Sequence, residues 1–105
     1  MSDVLTRIKR AVLDGRYAFS KKAGEELEAD GLAELDALEA ITSAVAIYKT
    51  LRSTSPRRAR AGEKLYVIQS TNLEGVLMYT KGKFTTMGGV ETYYFLISAK
   101  RSAPD

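Results

Sequence analysis

The spacing of the apolar residues changes once along this chain, near residue 45. Before that point they recur at helical spacing, as in Val4, Leu5, Ile8 and Val12. After it they form short runs rich in Ile, Val, Leu, Thr and Tyr, bounded by Gly, Pro, Ser or Asn, which is the pattern of β-strands. Helices followed by strands are typical of the α+β class. We therefore predict an α+β fold in which two or three N-terminal helices pack on a four-stranded, mainly antiparallel sheet.

Residues 1–45 contain start and stop signals for helices. The first helix follows the capping residues Ser2-Asp3 and ends at Asp14-Gly15, where glycine adopts a left-handed turn. The second begins after Ser20 and stops at Gly31.

The third helix is predicted from about Glu34 to Ala44, with acidic residues in its first turn, where the helix dipole favours them. One apolar stripe is expected to face the core: Leu35, Leu38, Ile41 and Val45.

The strands are predicted in the second part of the chain. Their ranges are Ala46–Arg52, Lys64–Thr71, Val76–Phe84 and Val90–Ala99. The segments between the last three strands are short enough for hairpin turns, so these strands should pair as an antiparallel meander.

The length of 105 residues suits one domain. We predict a single domain over 1–105, with a helical part at 1–45, a sheet at 46–101 and a frayed tail at 102–105. There is no apolar run long enough to span a membrane and no basic-then-apolar leader, so we predict a cytoplasmic protein that does not contact membranes.

The chain contains no Cys and no His. Cys–His pairs, Ser–His triads and Cys/His zinc sites are therefore excluded within it. Acid–base chemistry is left to Lys, Tyr, Asp and Glu, with Arg as a fixed positive charge. We predict neither a metal nor a cofactor.

Charge is distributed unevenly along the chain. Residues 1–45 carry six Lys or Arg against nine Asp or Glu, and residues 46–105 carry ten against four, so their net charges are −3 and +6. This basic second part is typical of a surface that binds a polyanion or an acidic protein. The acids of the second helix do not converge on a partner, and we interpret them as a solvated face: Glu25, Glu26, Glu28 and Asp30.

A polar loop at 53–62 carries Arg57, Arg58 and Arg60. Guanidinium groups match phosphate oxygens, so we predict that these three arginines bind an RNA backbone. Three further residues are predicted to assist them: Arg52, Lys64 and Gln69. The alternative interpretation is a solvated surface loop.

Strand alternation indicates candidate catalytic residues. Tyr79 and Lys81 share one face of the third predicted strand, and continuing the alternation of the last strand groups Lys100 with Tyr94 and Leu96. If the two faces coincide, Lys81 and Lys100 lie on neighbouring strands, close to Tyr79. We predict these three as the catalytic residues of RNA cleavage, in which the 2′-hydroxyl is the nucleophile and a Lys takes its proton. The alternative is an ordinary solvated sheet face.

Three segments carry a resemblance to a known family: SPRRARAGEKLYVI at 55–68, VLMYTKGKF at 76–84 and YYFLISAK at 93–100. They resemble small bacterial domains related to the MqsR-type toxins, within the RelE-like group of mRNA endonucleases, over about residues 16–101.

The resemblance implies a compact helix-then-sheet fold, metal-independent cleavage of mRNA on or off the ribosome, and inhibition by a cognate antitoxin protein. The last strand is similar to the terminal MqsR strand with its Ser-x-Lys, so Lys100 is the residue that the resemblance carries over, and Tyr79 is similar to the strand tyrosine of that group. Gln69 and either Lys49 or Lys64 are the candidates for the Gln and Lys that precede that strand.

Two other functions fit the same residues. One is a non-catalytic RNA- or DNA-binding module, for which binding would depend strongly on salt. The other is a protein-interaction module whose basic loop or sheet edge binds an acidic partner.

Overall fold

The computed structural model of the chain describes residues 3–52 and 63–102. Its three helices and five strands confirm the α+β class. In chain order these are α1 (Val4–Leu13), β1 (Tyr17–Phe19), α2 (Lys21–Ala29), α3 (Glu34–Ser43), β2 (Lys49–Arg52), β3 (Lys64–Thr71), β4 (Leu77–Met87) and β5 (Val90–Arg101). Within the described residues, none of the helices is long and apolar enough to cross a membrane.

The first two helices begin and end at the predicted signals. Asp3 Oδ1 accepts a hydrogen bond of 2.8 Å from the Thr6 N–H, and this bond lowers the pKa of Asp3. Ser20 Oγ caps α2 in the same way, at 3.0 Å from a backbone nitrogen of the first turn. Gly15 and Gly31 follow the two helices with φ of 78° and 71°. The left-handed conformation was predicted for Gly15, and Gly31 was predicted as the end of α2.

The helix α3 forms where predicted, but only Leu38 and Ile41 of the predicted stripe contact the core. Leu35 and Val45 are 63% and 96% exposed, although both were expected in the core. The buried residues are Ala37, Ala40 and Ile41. Because alanine side chains are short, this face lets the helix lie close to the sheet, and the larger residues beside it remain outside.

The strands form one sheet in the order β1-β5-β4-β3-β2. The predicted antiparallel meander of β3, β4 and β5 is confirmed, and β2 extends it antiparallel to β3. The sheet has one strand more than the four predicted, since the three-residue β1 pairs in parallel with β5. The sheet is therefore mixed. The strand β1 was not predicted, because a strand this short shows too little alternation to be recognised in the sequence.

The helices pack on one face of the sheet. One core cluster joins α1 and α3 to β3 and β5, through residues that include Ile8, Ile41 and Ile68. A second cluster joins α2 and α3 to Met78 of β4 and Ala99 of β5. In the described part of the chain, the opposite face of the sheet carries no helix.

The residue Ser102 is bound to the sheet, although we predicted it as the start of a frayed tail. Its N–H donates to Leu77 O at 2.9 Å and its hydroxyl donates to Gln69 Oε1 at 3.0 Å. The rest of the predicted tail, 103–105, lies outside the described residues.

Candidate functional site

The pairing of β4 with β5 is irregular between Lys81 and Gly82, where β5 has one extra residue. Gly82 pairs with Leu96, but its neighbour Lys81 pairs with Ser98, which leaves Ile97 as a β-bulge. Since side chains alternate along a strand, one extra residue moves every later side chain to the opposite face.

The bulge decides where Lys100 points. Tyr94 and Leu96 are buried against the helices. Lys100 is the strand partner of Tyr79, and both side chains lie on the face of the sheet away from the helices. The predicted grouping of Lys100 with Tyr94 and Leu96 is therefore wrong. The predicted proximity of Lys100 to Tyr79 and Lys81 is nevertheless found in the structure.

Gln69, Tyr79 and Lys100 form one row across three neighbouring strands. Lys100 Nζ is 5.4 Å from the centroid of the Tyr79 ring, within the distance of a cation–π contact. Gln69 Oε1 accepts a hydrogen bond of 3.0 Å from the Ser102 hydroxyl. The row thus offers an amide, a phenol and an ammonium group side by side.

A second row lies next to the first. Val67 is fully buried between its strand partners Lys49 and Lys81. Lys81 shares a face with Tyr79 and is diagonal to Lys100 across the strand pair, a relation that separates residues by roughly 7–8 Å. Among the ion pairs of the described residues, none involves Lys49 or Lys81.

We call the side of the sheet opposite the helices the lysine face, defined by Lys49, Gln69, Tyr79, Lys81, Lys83 and Lys100. On this face Lys83 is paired with a carboxylate, since its Nζ lies 3.2 Å from Glu63 Oε1. Both side chains are largely buried, so this lysine is occupied by an internal partner.

Glu26 of α2 reaches β5 next to the bulge. Its Oε1 accepts hydrogen bonds from the Ser98 hydroxyl at 2.7 Å and from the Ala99 N–H at 3.2 Å. Its Oε2 lies 3.9 Å from Lys100 Nζ. The interpretation of Glu26 as a solvated surface residue is therefore wrong. Sequence gave no sign of this contact, because it depends on how α2 packs beside a strand about seventy residues away.

Arg52 and Lys64 do not lie on the lysine face. They pair with each other at the ends of β2 and β3, and alternation places both on the side that the helices occupy. The three predicted loop arginines lie outside the described residues: Arg57, Arg58 and Arg60. The structure therefore brings together only part of the predicted set: Gln69, Tyr79, Lys81 and Lys100.

A shallow groove of about 460 Å³ lies along α2 and the segment that joins it to α3. Its charged lining residues are Lys21, Glu25, Glu28 and Glu34, and it includes none of the candidate residues. Across residues 3–52 and 63–102, no group of three or more His, Cys, Asp or Glu side chains is placed to hold a metal ion. The lysine face is therefore the candidate site.

Comparison of the chain with protein-family models, with curated proteins and with solved structures found no match. Function must therefore be inferred from the chemistry of the lysine face.

Proposed function

We propose that this chain is a metal-independent endoribonuclease that binds RNA on the lysine face. One observation carries the proposal: Tyr79, Lys81 and Lys100 lie together on the side of the sheet that no described helix covers. The resemblance to the MqsR-type toxins supports the same activity, with the helices and sheet forming a fold of the RelE-like kind.

Cleavage of this type requires proton transfer and stabilisation of negative charge. A base removes the proton of the ribose 2′-hydroxyl while the 2′-oxygen forms a bond to the adjacent phosphorus. The bond from phosphorus to the 5′-oxygen breaks, and an acid protonates that leaving oxygen. The products are a 2′,3′-cyclic phosphate and a 5′-hydroxyl end, and nearby cations stabilise the charge that grows on the phosphate oxygens.

The two lysines have different surroundings and take different roles in this proposal. Lys100 lies between the Tyr79 ring and the Glu26 carboxylate, which hold its ammonium group in place as a phosphate ligand. Lys81 has no ion-pair partner among the described residues and is the candidate base. Tyr79, next to both, orients the ribose.

Mixed-sequence RNA incubated with purified protein in EDTA tests this function. We expect fragments that end in a 2′,3′-cyclic phosphate, identified by mass spectrometry, and no cut at a position where 2′-deoxyribose replaces ribose. RNA that stays intact at high protein concentration, both with and without ribosomes, would refute the proposal.

Single substitutions test the site. Lys81→Ala and Lys100→Ala should each remove most of the cleavage while leaving the melting curve close to that of the parent protein. Lys21→Ala is the matched control, because Lys21 is exposed on α2 and lines the groove that includes none of the candidate residues. Equal cleavage by all three variants would exclude the lysine face as the site.

RNA binding without cleavage is the second candidate function. Phe95 pairs with Lys83 and is half-buried on the same side of the sheet as the other lysines, so this face also carries an aromatic ring, as do surfaces that stack single-stranded bases. This function predicts binding that weakens steeply with salt and yields no product. Absence of any RNA affinity would favour a protein-interaction module instead.

On the basis of the resemblance, we also propose a protein partner, a cognate antitoxin that covers the lysine face. Expression of the chain alone should then slow bacterial growth, and co-expression of its antitoxin should restore growth and yield a stable complex. Substitution of Lys81 and Lys100 by Ala should remove the growth defect.

A further inference from the structure

The carboxylate of Glu26 is held by β5 through one oxygen and faces Lys100 with the other. The Ser98 hydroxyl and the Ala99 N–H both donate to Oε1, at 2.7 Å and 3.2 Å, which fixes the carboxylate against the strand. Oε2 is left 3.9 Å from Lys100 Nζ. The side chain of Glu26 is 20% exposed, so this arrangement is partly shielded from water.

Asp30, the residue that follows α2, also has a carboxylate that contacts β5, but its role is structural only. Its Oδ2 accepts a hydrogen bond of 2.8 Å from the Arg101 N–H. Glu26 covers a backbone N–H of β5 in the same way, but it also contacts an ammonium group on the lysine face. The contact with Lys100 is not needed to cover the strand.

The position of Lys100 is constrained from two sides. The Glu26 carboxylate lies on the α2 side, and the Tyr79 ring lies on the β4 side, with its centroid 5.4 Å from Nζ. A lysine side chain has four rotatable bonds and gains little order from one exposed partner, so two partners are needed to hold its ammonium group at one place.

We propose that Glu26 is a positioning residue that holds the Lys100 ammonium group over the Tyr79 ring and so sets the place where a phosphate is bound. The catalytic part of this inference rests on the proposed function, whereas the positioning of Lys100 can be measured on the protein alone.

Proton NMR of the Lys100 side chain tests the positioning. Methylene protons above an aromatic ring are shifted upfield, so we expect such a shift in the parent protein and its loss in Tyr79→Leu. Glu26→Gln keeps an amide oxygen that can accept from Ser98 and Ala99 but removes the charge next to Lys100. This variant should lose most of the upfield shift.

Glu25→Gln is the matched control, because it removes one charge from an exposed neighbour on the same helix and should leave the Lys100 signals unchanged. A second measurement needs no variant: if an ion pair positions Lys100, the upfield shift in the parent protein should decrease as the salt concentration rises towards 1 M. An upfield shift that persists in Glu26→Gln, or that does not respond to salt, would overturn the inference.

Cleavage kinetics test the consequence for catalysis. We expect Glu26→Gln to lower kcat roughly tenfold with a smaller effect on KM, because a displaced phosphate ligand impairs the reacting geometry more than binding. The same substitution should have almost no effect in a Lys100→Ala background, since the two residues act together. An equal loss in both backgrounds would overturn the inference, whereas a parent protein without cleavage would refute the proposed function and leave the NMR result to decide on Glu26.

Discussion

Gly82 of β4 lies under the ring of Tyr94 on β5, so close that an added Cβ would be 2.6 Å from the Tyr94 Cζ atom. Tyr94 is fully buried in the core that joins the sheet to α1 and α3. The absence of a side chain at Gly82 is therefore a packing requirement of the sheet.

Gly82→Ala should destabilise the protein by about 1–3 kcal/mol, because the tyrosine ring must move within a packed core. Chemical denaturation measures the change. Gly24→Ala is the control with the opposite sign, since an added Cβ there meets nothing within 4 Å and alanine favours the helix interior by about 1 kcal/mol. Equal stability of the Gly82→Ala variant and the parent protein would contradict the packing requirement.

Tyr94→Phe should leave stability unchanged or raise it by about 1 kcal/mol. Among the described residues, the buried Tyr94 hydroxyl has no hydrogen-bond partner, and removing a buried unsatisfied group removes its desolvation penalty. Urea unfolding of the variant checks this, with Tyr48→Phe as an exposed control. A clear loss of stability would mean that the hydroxyl is hydrogen bonded.

Stability should fall in alkaline solution through the same residue. Burial, with a smaller effect from Tyr66, raises the pKa of Tyr94 above its ordinary value of 10.0. The unfolded chain then releases the Tyr94 proton near pH 10, while the folded protein retains it. The free energy of unfolding is therefore at its full value below pH 10 and decreases as the pH rises further. Urea unfolding at a series of alkaline pH values should show a steeper decline for the parent protein than for Tyr94→Phe.

Ser20→Ala should cost about 1–2 kcal/mol, because one hydroxyl makes two connections. It accepts from the Ala23 N–H at 3.0 Å as the cap of α2, and it donates to Ile97 O at 2.9 Å in the bulge. Ser20→Asp keeps the cap but has no donor for Ile97 O, and should therefore recover only part of the loss. Thermal unfolding of the two variants compares these contributions.

RNA affinity should depend on salt through the lysine face. If Lys81 contacts one phosphate, Lys81→Ala should lower the slope of log Kd against log salt by about 1. The control Lys21→Ala should retain the parent slope, because Lys21 lines the separate groove along α2. Titrations of a labelled single-stranded RNA at several salt concentrations measure both, and identical slopes would show that Lys81 makes no phosphate contact.

Sequence alone predicted the features of the fold that depend on a few neighbouring residues. Asp3 and Ser20 start helices, and Gly15 and Gly31 follow their ends, because capping and left-handed turns act within one helical turn. The meander was also predictable, since short turns leave adjacent strands little choice of partner.

The features that sequence did not predict depend on contacts between distant residues. The parallel pairing of β1 joins residue 17 to residue 94. The buried face of α3 is set by how closely its alanines approach the sheet, and hydrophobicity alone favoured Leu35 and Val45. Neither the pairing of β1 with β5 nor the buried face of α3 can be predicted from a local sequence pattern.

The candidate site shows the same division. Tyr79 and Lys81 share a face because alternation holds within one strand, so sequence could group them. The bulge at Ile97 interrupts the alternation and brings Lys100 to them, and a bulge has no reliable sequence signal. Glu26 reaches Lys100 only through the packing of α2 against β5.

The carboxylates of Glu26 and Asp30 also occupy hydrogen-bond donors at the exposed edge of β5. β1 covers β5 only at residues 94–96, and beyond it the N–H groups of Ala99 and Arg101 are taken up by Glu26 and Asp30. A strand from another molecule would find these two donors already occupied, so we expect this edge to be a poor template for strand addition. We therefore expect conditions that detach α2 while the sheet persists to promote strand addition at this edge.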